Sequence, residues 1–124
     1  MVGRDHRFRP RHRLRTPAEF RRVFARGQRS SDRELTVLAL PNGRPYPRLG
    51  MAVSRKVSKK AVVRNRLRRR IREVFRLHRG ELPGLDLVVV ARPGAAELDY
   101  HTLEQRLRGH WRRLARRLGC AESS

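Results

Sequence analysis

The sequence predicts a single α+β domain in which helices pack on a mostly antiparallel sheet. Its 124 residues are close to the length of one average domain, and 38% hydrophobic residues suffice for one core. Three amphipathic helical patterns alternate with short runs of apolar and β-branched residues. Their order is one helix, two or three strands, a long helix, one strand and a last helix (αβββαβα with three strands), which is typical of a sandwich of helices on a sheet.

The first helix is predicted by its end signals. Thr16 precedes Pro17 and is followed three residues later by Glu19, which is the pattern of a capping box, and Gly27 ends the segment. Helical spacing places three apolar residues on one stripe, namely Phe20, Val23 and Phe24. These residues therefore form either the packing face of a short helix or, for the two rings, an exposed aromatic surface.

Two strands are expected next. Residues 34–40 and 48–54 alternate or run apolar, and the prolines and glycine of 41–47 indicate a hairpin-like loop between them. The sequence does not decide whether residues 29–33 form a further strand or an extended entry segment.

A long helix is predicted over residues 60–79 and a last one from Asp99 to Leu118. Between them, the nearly continuous apolar run Leu85–Ala91 predicts a strand that is buried on both faces or lies in the centre of the sheet. The packing stripe of the last helix consists of Leu103, Leu107, Trp111, Leu114 and Leu118. We expect residues 1–15 to be a mobile basic arm, 16–118 the folded domain, and 119–124 a disordered tail.

The charge of the chain indicates a polyanionic partner. The 32 Lys and Arg exceed the 11 Asp and Glu by 21 charges, so nucleic acid is the leading partner. Cys120 is alone and cannot form an intramolecular disulfide, which fits a reducing cytoplasm. The longest apolar run is too short to span a bilayer, and no secretion signal is recognisable, so we expect no membrane partner.

The long helix carries the functional signal. Residues 55–79 hold twelve basic residues and one acid, Glu73. At about 100° per residue, one strip faces the core: Val63, Leu67, Ile71, Val74 and His78. The opposite side, called here the basic ridge, consists of Asn65, Arg68, Arg69, Arg72, Arg76 and Arg79. Like-charged neighbours one turn apart destabilise an isolated helix, so the ridge predicts a phosphate-binding surface.

Catalytic groups are not recognisable. Asp86 and Glu73 stand apart, the five histidines show no metal-ligand spacing, and Cys120 has no activating neighbour in sequence. We therefore expect no catalytic residue and no metal site in this chain.

Four ordered segments resemble the protein subunit of bacterial ribonuclease P: TPAEFRRVFARG, GMAVSRK, VVRNRLRRRIREVF and DLVVVARPGA. The resemblance covers most of residues 16–100. It implies a four-stranded sheet with a left-handed β-α-β crossover, whereas the general rule is a right-handed one.

The resemblance also implies function. The family's protein binds a catalytic RNA subunit that, with Mg²⁺, removes the 5′ leader of precursor tRNA; the protein takes no cofactor or small-molecule substrate of its own. By resemblance, the residues that touch the RNA subunit and leader phosphates are Arg64, Asn65, Arg66, Arg68, Arg69, Arg72 and Arg76. The residues that would line the leader cleft are Phe20, Phe24, Leu38, Arg55 and Lys56, with Leu38 standing where better-known members place a Tyr.

The alternative function is that of a ribosomal or other structural RNA-binding protein without a role in cleavage. Such a protein would share the basic helix but need no leader cleft. A DNA-binding protein of the nucleoid is disfavoured because the sequence shows neither a helix-turn-helix nor a dimerising β-arm.

Overall fold

The structure, a computed structural model, describes residues 10–119 and contains three helices and one four-stranded sheet, as predicted. The helices are α1 (Pro17–Arg26), α2 (Ala61–His78) and α3 (Tyr100–Arg117). The strands are β1 (Gln28–Ser31), β2 (Leu35–Pro41), β3 (Arg48–Ala52) and β4 (Leu85–Ala91). The segment at 29–33 that the sequence left open thus contributes to strand β1. Among the helices of residues 10–119, no apolar stretch meets the requirements of a membrane-spanning segment.

The strand order in the sheet is β1-β2-β4-β3. β1 pairs antiparallel with β2 and β2 antiparallel with β4, whereas β3 pairs parallel with β4. The hairpin predicted between 34–40 and 48–54 is therefore wrong, because β4 lies between β2 and β3. β4 is the most apolar strand. It lies at the centre of the sheet, where both of its faces are buried. β3, α2 and β4 form a β-α-β unit, and its left-handed path stays a prediction.

The two faces of the sheet carry different helices. α2 and α3 cover one face, over a core that includes Val37, Leu87 and Trp111, and α1 packs against β2 and β4 on the other. Phe75 is fully buried and meets Trp111 edge to face at 6.0 Å between ring centroids. The sequence missed Phe75 because α3 widens the buried strip of α2. Two residues predicted in that strip, Val63 and His78, are only half-buried.

The segment before α1 is part of the domain. The predicted basic arm includes residues 10–15, but His12 and Leu14 are buried there, so this stretch packs on the domain. The Leu14 N–H donates to the Leu49 carbonyl at 3.0 Å, which continues the sheet beyond the edge of β3. The rest of the predicted arm, residues 1–9, and residues 120–124 of the predicted tail, with Cys120, lie outside the described residues.

Side-chain caps fix two of the three helix starts. Thr16 and Glu19 form the predicted capping box of α1, and Asp99 accepts a hydrogen bond from the Thr102 N–H at the start of α3. The N–H groups of Arg15 and Thr16 lower the pKa of Glu19. A carboxylate with a lowered pKa stabilises the folded state above its ordinary pKa, and this stabilisation is lost as pH falls through the lowered pKa.

An ion-pair network joins α1, β3 and β4. Arg48 donates two hydrogen bonds to Asp86, from Nε at 2.8 Å and from Nη2 at 2.7 Å, and its Nη1 lies 3.0 Å from Glu19. The Asp86 side chain is only 2% exposed and that of Arg48 11% exposed. Asn42 adds a hydrogen bond to Asp86. At the start of the parallel pair β3 and β4, the contact between the strands is therefore a buried ion pair of a guanidinium and a carboxylate rather than an apolar contact.

We expect Asp86→Ala to lower the free energy of unfolding by about 3–5 kcal/mol, since it leaves the Arg48 charge buried without its main partner. Equilibrium denaturation by urea measures this loss. Glu97→Ala removes an exposed carboxylate and is the control, with a change within about 0.5 kcal/mol. Equal losses in the two variants would contradict the role of the buried pair.

Candidate nucleic-acid interface

The start of α2 is held by arginine rather than by a cap. Lys60 makes no side-chain capping bond, and the first turn of the helix contains no acid. Instead, Arg64 Nη1 donates to the carbonyls of Ser58 and Lys59 at 2.9 and 3.0 Å. Arg64 therefore fixes the connection from β3 to α2 while its side chain remains half-exposed.

Three arginines of the basic ridge also have structural partners, and one of them, Arg79, lies 3.3 Å from His12 Nε2 through its Nη1. Arg68 donates to the Val53 carbonyl at 3.0 Å and to Asn65 at 2.9 Å, and Arg76 pairs with Glu73 at 2.8 Å. These bonds orient the side chains along the ridge. Each guanidinium has five N–H donors, so donors remain for phosphate oxygens.

Arg72 combines a buried guanidinium nitrogen with several like charges nearby. Its Nε is buried and has no hydrogen-bond partner among the described residues. Burial lowers the pKa of Arg72, and the nearby charges of Arg13, Arg68 and Arg69 lower it further. Arginine stays charged at neutral pH despite such a shift, so four like charges share one region. A phosphate placed among them would relieve both the repulsion and the missing hydrogen bond.

A groove connects this cluster to α1, and we call it the α1–α2 groove. Its basic part has a volume of about 200 Å³ and is lined by Arg13, Arg69, Arg72, Glu73 and Arg76. Its apolar part, of about 210 Å³, is lined by Arg13, Leu14, Phe20, Leu49, Gly50, Met51 and Arg72. Arg13 and Arg72 belong to both parts, so cations and an aromatic ring meet in one depression.

Phe20 reaches the groove because position 50 has no side chain. A Cβ atom on Gly50 would lie 2.6 Å from the Phe20 Cζ atom, closer than any real contact allows. Phe20 is half-buried, and it packs on the small cluster of Leu14, Val23 and Leu38. One part of the ring therefore stabilises α1 on the sheet, and the other part faces the groove.

The remaining predicted cleft residues do not line the groove. Phe24 is 43% exposed on α1, and Arg55 and Lys56 are exposed in the turn after β3. Leu38 is buried with 1% exposure beneath α1, so its assignment to an open cleft is wrong: its side chain fills the space between sheet and helix. The sequence missed Arg13, whose place depends on the pairing with Leu49, a contact without a local sequence signal.

Two histidines of the helices, His78 and His110, have carboxylate partners. His78 Nε2 lies 2.7 Å from Glu104, and His110 Nε2 lies 2.7 Å from Asp32. Within residues 10–119, no three His, Cys, Asp or Glu side chains lie close enough together to hold a metal ion.

Comparisons with known proteins identify the family. The model of the ribonuclease P family matches residues 8–115. The chain belongs to the ribonuclease P protein family. It is 48% identical, over 98% of its length and 94% of the relative, to the ribonuclease P protein component of Methylococcus capsulatus. The family membership confirms the resemblance drawn from the sequence.

Solved structures of the family share the fold. The ribonuclease P protein from Thermotoga maritima has 37% identity and a TM-score of 0.74, over 82% of this chain and 96% of that one. The Staphylococcus aureus protein has 29% identity and a TM-score of 0.75, over 82% and 93% of the two chains. The chain is thus an RNA-binding component of an endoribonuclease ribonucleoprotein that acts in tRNA processing, with a ribonuclease P RNA as its partner.

Arg72→Ala should weaken RNA binding without destabilising the fold. The change removes one clustered charge and one orphaned donor, so the free energy of unfolding should stay within about 0.5 kcal/mol or rise. The slope of log affinity for the RNA subunit or precursor tRNA against log salt should fall by roughly one unit. Thermal melting and binding at several salt concentrations measure the two effects.

Arg33→Ala is the control, because Arg33 is exposed in the turn between β1 and β2 and does not line the groove. An equal fall of the salt slope in both variants would mean that only the overall charge matters.

Proposed function

We propose that this chain binds the 5′ leader of precursor tRNA in the α1–α2 groove. The observation that carries the proposal is that Phe20 and Arg72 line the same depression. Single-stranded RNA is held by aromatic rings on which bases stack and by cations that follow the phosphates. A groove that is apolar at one end and basic at the other offers both kinds of contact to a few successive nucleotides.

The RNA subunit, in this proposal, contacts the first half of α2. Asn65 and Arg66 are exposed there and do not line the groove, whereas Arg69 and Arg72 do. Arg64 and Arg68, whose hydrogen bonds brace the start of the helix, hold this surface rigid. Rigid guanidinium groups bind the phosphates of a folded RNA with little loss of side-chain freedom.

We assign cleavage to the RNA subunit and its Mg²⁺ ions, with no cofactor on the protein and a cytoplasmic location for the complex. What supports this assignment is how the carboxylates of the chain are used. Glu19 and Asp86 pair with Arg48, and Glu73, the acid in the groove, pairs with Arg76. Acids neutralised by arginine are poor metal ligands and poor bases. The protein then contributes binding and charge neutralisation.

Phe20→Leu should weaken binding of precursor tRNA that carries a leader of several nucleotides, and should leave mature tRNA unaffected. Loss of base stacking is worth about 1–3 kcal/mol, whereas a hydrophobic exchange of this kind costs less than about 1.5 kcal/mol of stability. Affinities of the reconstituted complex for the two RNAs, together with a melting curve, separate these effects.

Phe24→Leu provides a matched control on the same helix, since its ring is exposed outside the groove. A loss of leader affinity with Phe24→Leu and not with Phe20→Leu would place the leader elsewhere on α1.

The protein freed of RNA should not cleave precursor tRNA, and cleavage should return when the cognate RNA subunit is added. The reconstituted complex should also need less Mg²⁺ than the RNA subunit alone, because the basic groove neutralises phosphates that Mg²⁺ would otherwise screen. Cleavage assays over a Mg²⁺ series measure both effects. Metal-dependent cleavage by RNA-free protein would contradict the assignment.

A further inference from the structure

A second cavity lies between α3 and the connection from α2 to β4. Its volume is about 450 Å³, which is within the range of small-ligand sites, roughly 300–1,000 Å³. Apolar atoms of Leu82, Pro83, Trp111 and Ala115 line it, and it shares no lining residue with the α1–α2 groove. The function proposed above does not use this cavity.

Three arginines one turn apart on α3 border the cavity: Arg108, Arg112 and Arg116. Arg108 is paired with Glu81 at 3.2 Å. Arg112 and Arg116 are exposed, and within the described chain their side chains pair with no other group. Like charges four residues apart disfavour the helix, so these residues do not stabilise α3. The rim of the cavity therefore carries two guanidinium groups available to an anion.

Two polar nitrogens of the lining residues are buried beneath the surface of the cavity. Trp111 Nε1 and Arg108 Nε are buried and have no hydrogen-bond partner among residues 10–119. Trp111 as a whole is only 1% exposed. Because these nitrogens are closed to solvent, a ligand in the cavity would meet the apolar wall and the arginines of the rim.

We propose that this cavity binds one unpaired nucleotide of RNA, with its phosphate on Arg112 and Arg116 and its base against the apolar wall beside Trp111. A nucleotide matches the two features of this cavity, since its anionic group suits the arginines of the rim and its flat apolar face suits the wall. The site would be a second RNA contact of the protein. It is independent of the leader groove, so either assignment can fail without the other.

The single tryptophan of the chain makes the site directly observable. Trp111 lies in the cavity wall, and no other residue of the 124 is Trp. Titration of the full-length protein with adenosine 5′-monophosphate should change the Trp111 fluorescence in a saturable way. Inorganic phosphate and adenosine, each lacking one half of the ligand, should need higher concentrations. An unchanged signal with the monophosphate would overturn the proposal, and so would equal binding of inorganic phosphate, which would indicate an anion site only.

Charge-neutral variants test which arginines bind the phosphate. The pair Arg112→Gln with Arg116→Gln should raise the half-saturating concentration of the monophosphate about tenfold, as expected for loss of charge-assisted hydrogen bonds. The control pair, Arg33→Gln with Arg92→Gln, removes the same charge at exposed positions outside the cavity and should leave the midpoint unchanged. All four side chains are exposed, so both variants should melt like the wild type. Equal shifts in the two pairs would overturn the proposal.

The same variants identify the RNA that supplies the nucleotide. Binding is measured with the RNA subunit alone and with precursor tRNA alone. The variant that carries both Arg112→Gln and Arg116→Gln should lose affinity for only one of these two RNAs. That RNA supplies the nucleotide. No selective loss with either RNA would overturn the assignment to RNA.

Discussion

The Arg48–Asp86 pair is the contact on which the arrangement of the groove depends. It lies at the start of the parallel pair β3 and β4 and also holds Glu19, the residue that caps α1. One guanidinium thereby fixes α1 relative to the edge of the sheet from which α2 departs. Because a buried charge is very unfavourable without its partner, the network tolerates few alternative arrangements. Phe20 on α1 and Arg72 on α2 come from elements that this network and the sheet hold at a fixed distance.

The two faces of α2 have opposite effects on the stability of the fold. Leu67, Ile71 and Val74 bury one face of α2 and stabilise it, while like charges on the opposite face oppose folding. This conflict between packing and charge repulsion is visible at Arg72, whose buried Nε has no hydrogen-bond partner among the described residues. Such a departure from favourable local interactions is expected where a partner completes the structure. The polyanion that the net charge indicated is therefore also what makes the arrangement of arginines favourable.

The positions of the helices and strands could be predicted from the sequence better than the pairing of the strands. The capping box around Thr16, the strand Leu85–Ala91 and the long basic helix all have local signals, and each is present in the structure. The apolar run of β4 indicated a central strand, but nothing local shows that β2 and β3 do not pair with each other, since a proline-rich loop looks the same whether the flanking strands pair or not. The residues of the site could likewise be predicted only in part. Helical periodicity found Arg69 and Arg72, but the groove also needs Arg13, which only the pairing with Leu49 places there.

The groove is therefore a composite of segments that are far apart in the chain: the segment before α1, α1 itself, β3 and α2. The first of these continues the edge of the sheet through the Leu14 N–H and is also held by burial of His12 and Leu14. Arg13 reaches the groove only when that segment is docked. By linkage, any anion that contacts Arg13 in the docked state stabilises the docking by the same free energy with which docking strengthens the binding. Docking of the segment before α1 and affinity in the groove are thus thermodynamically linked.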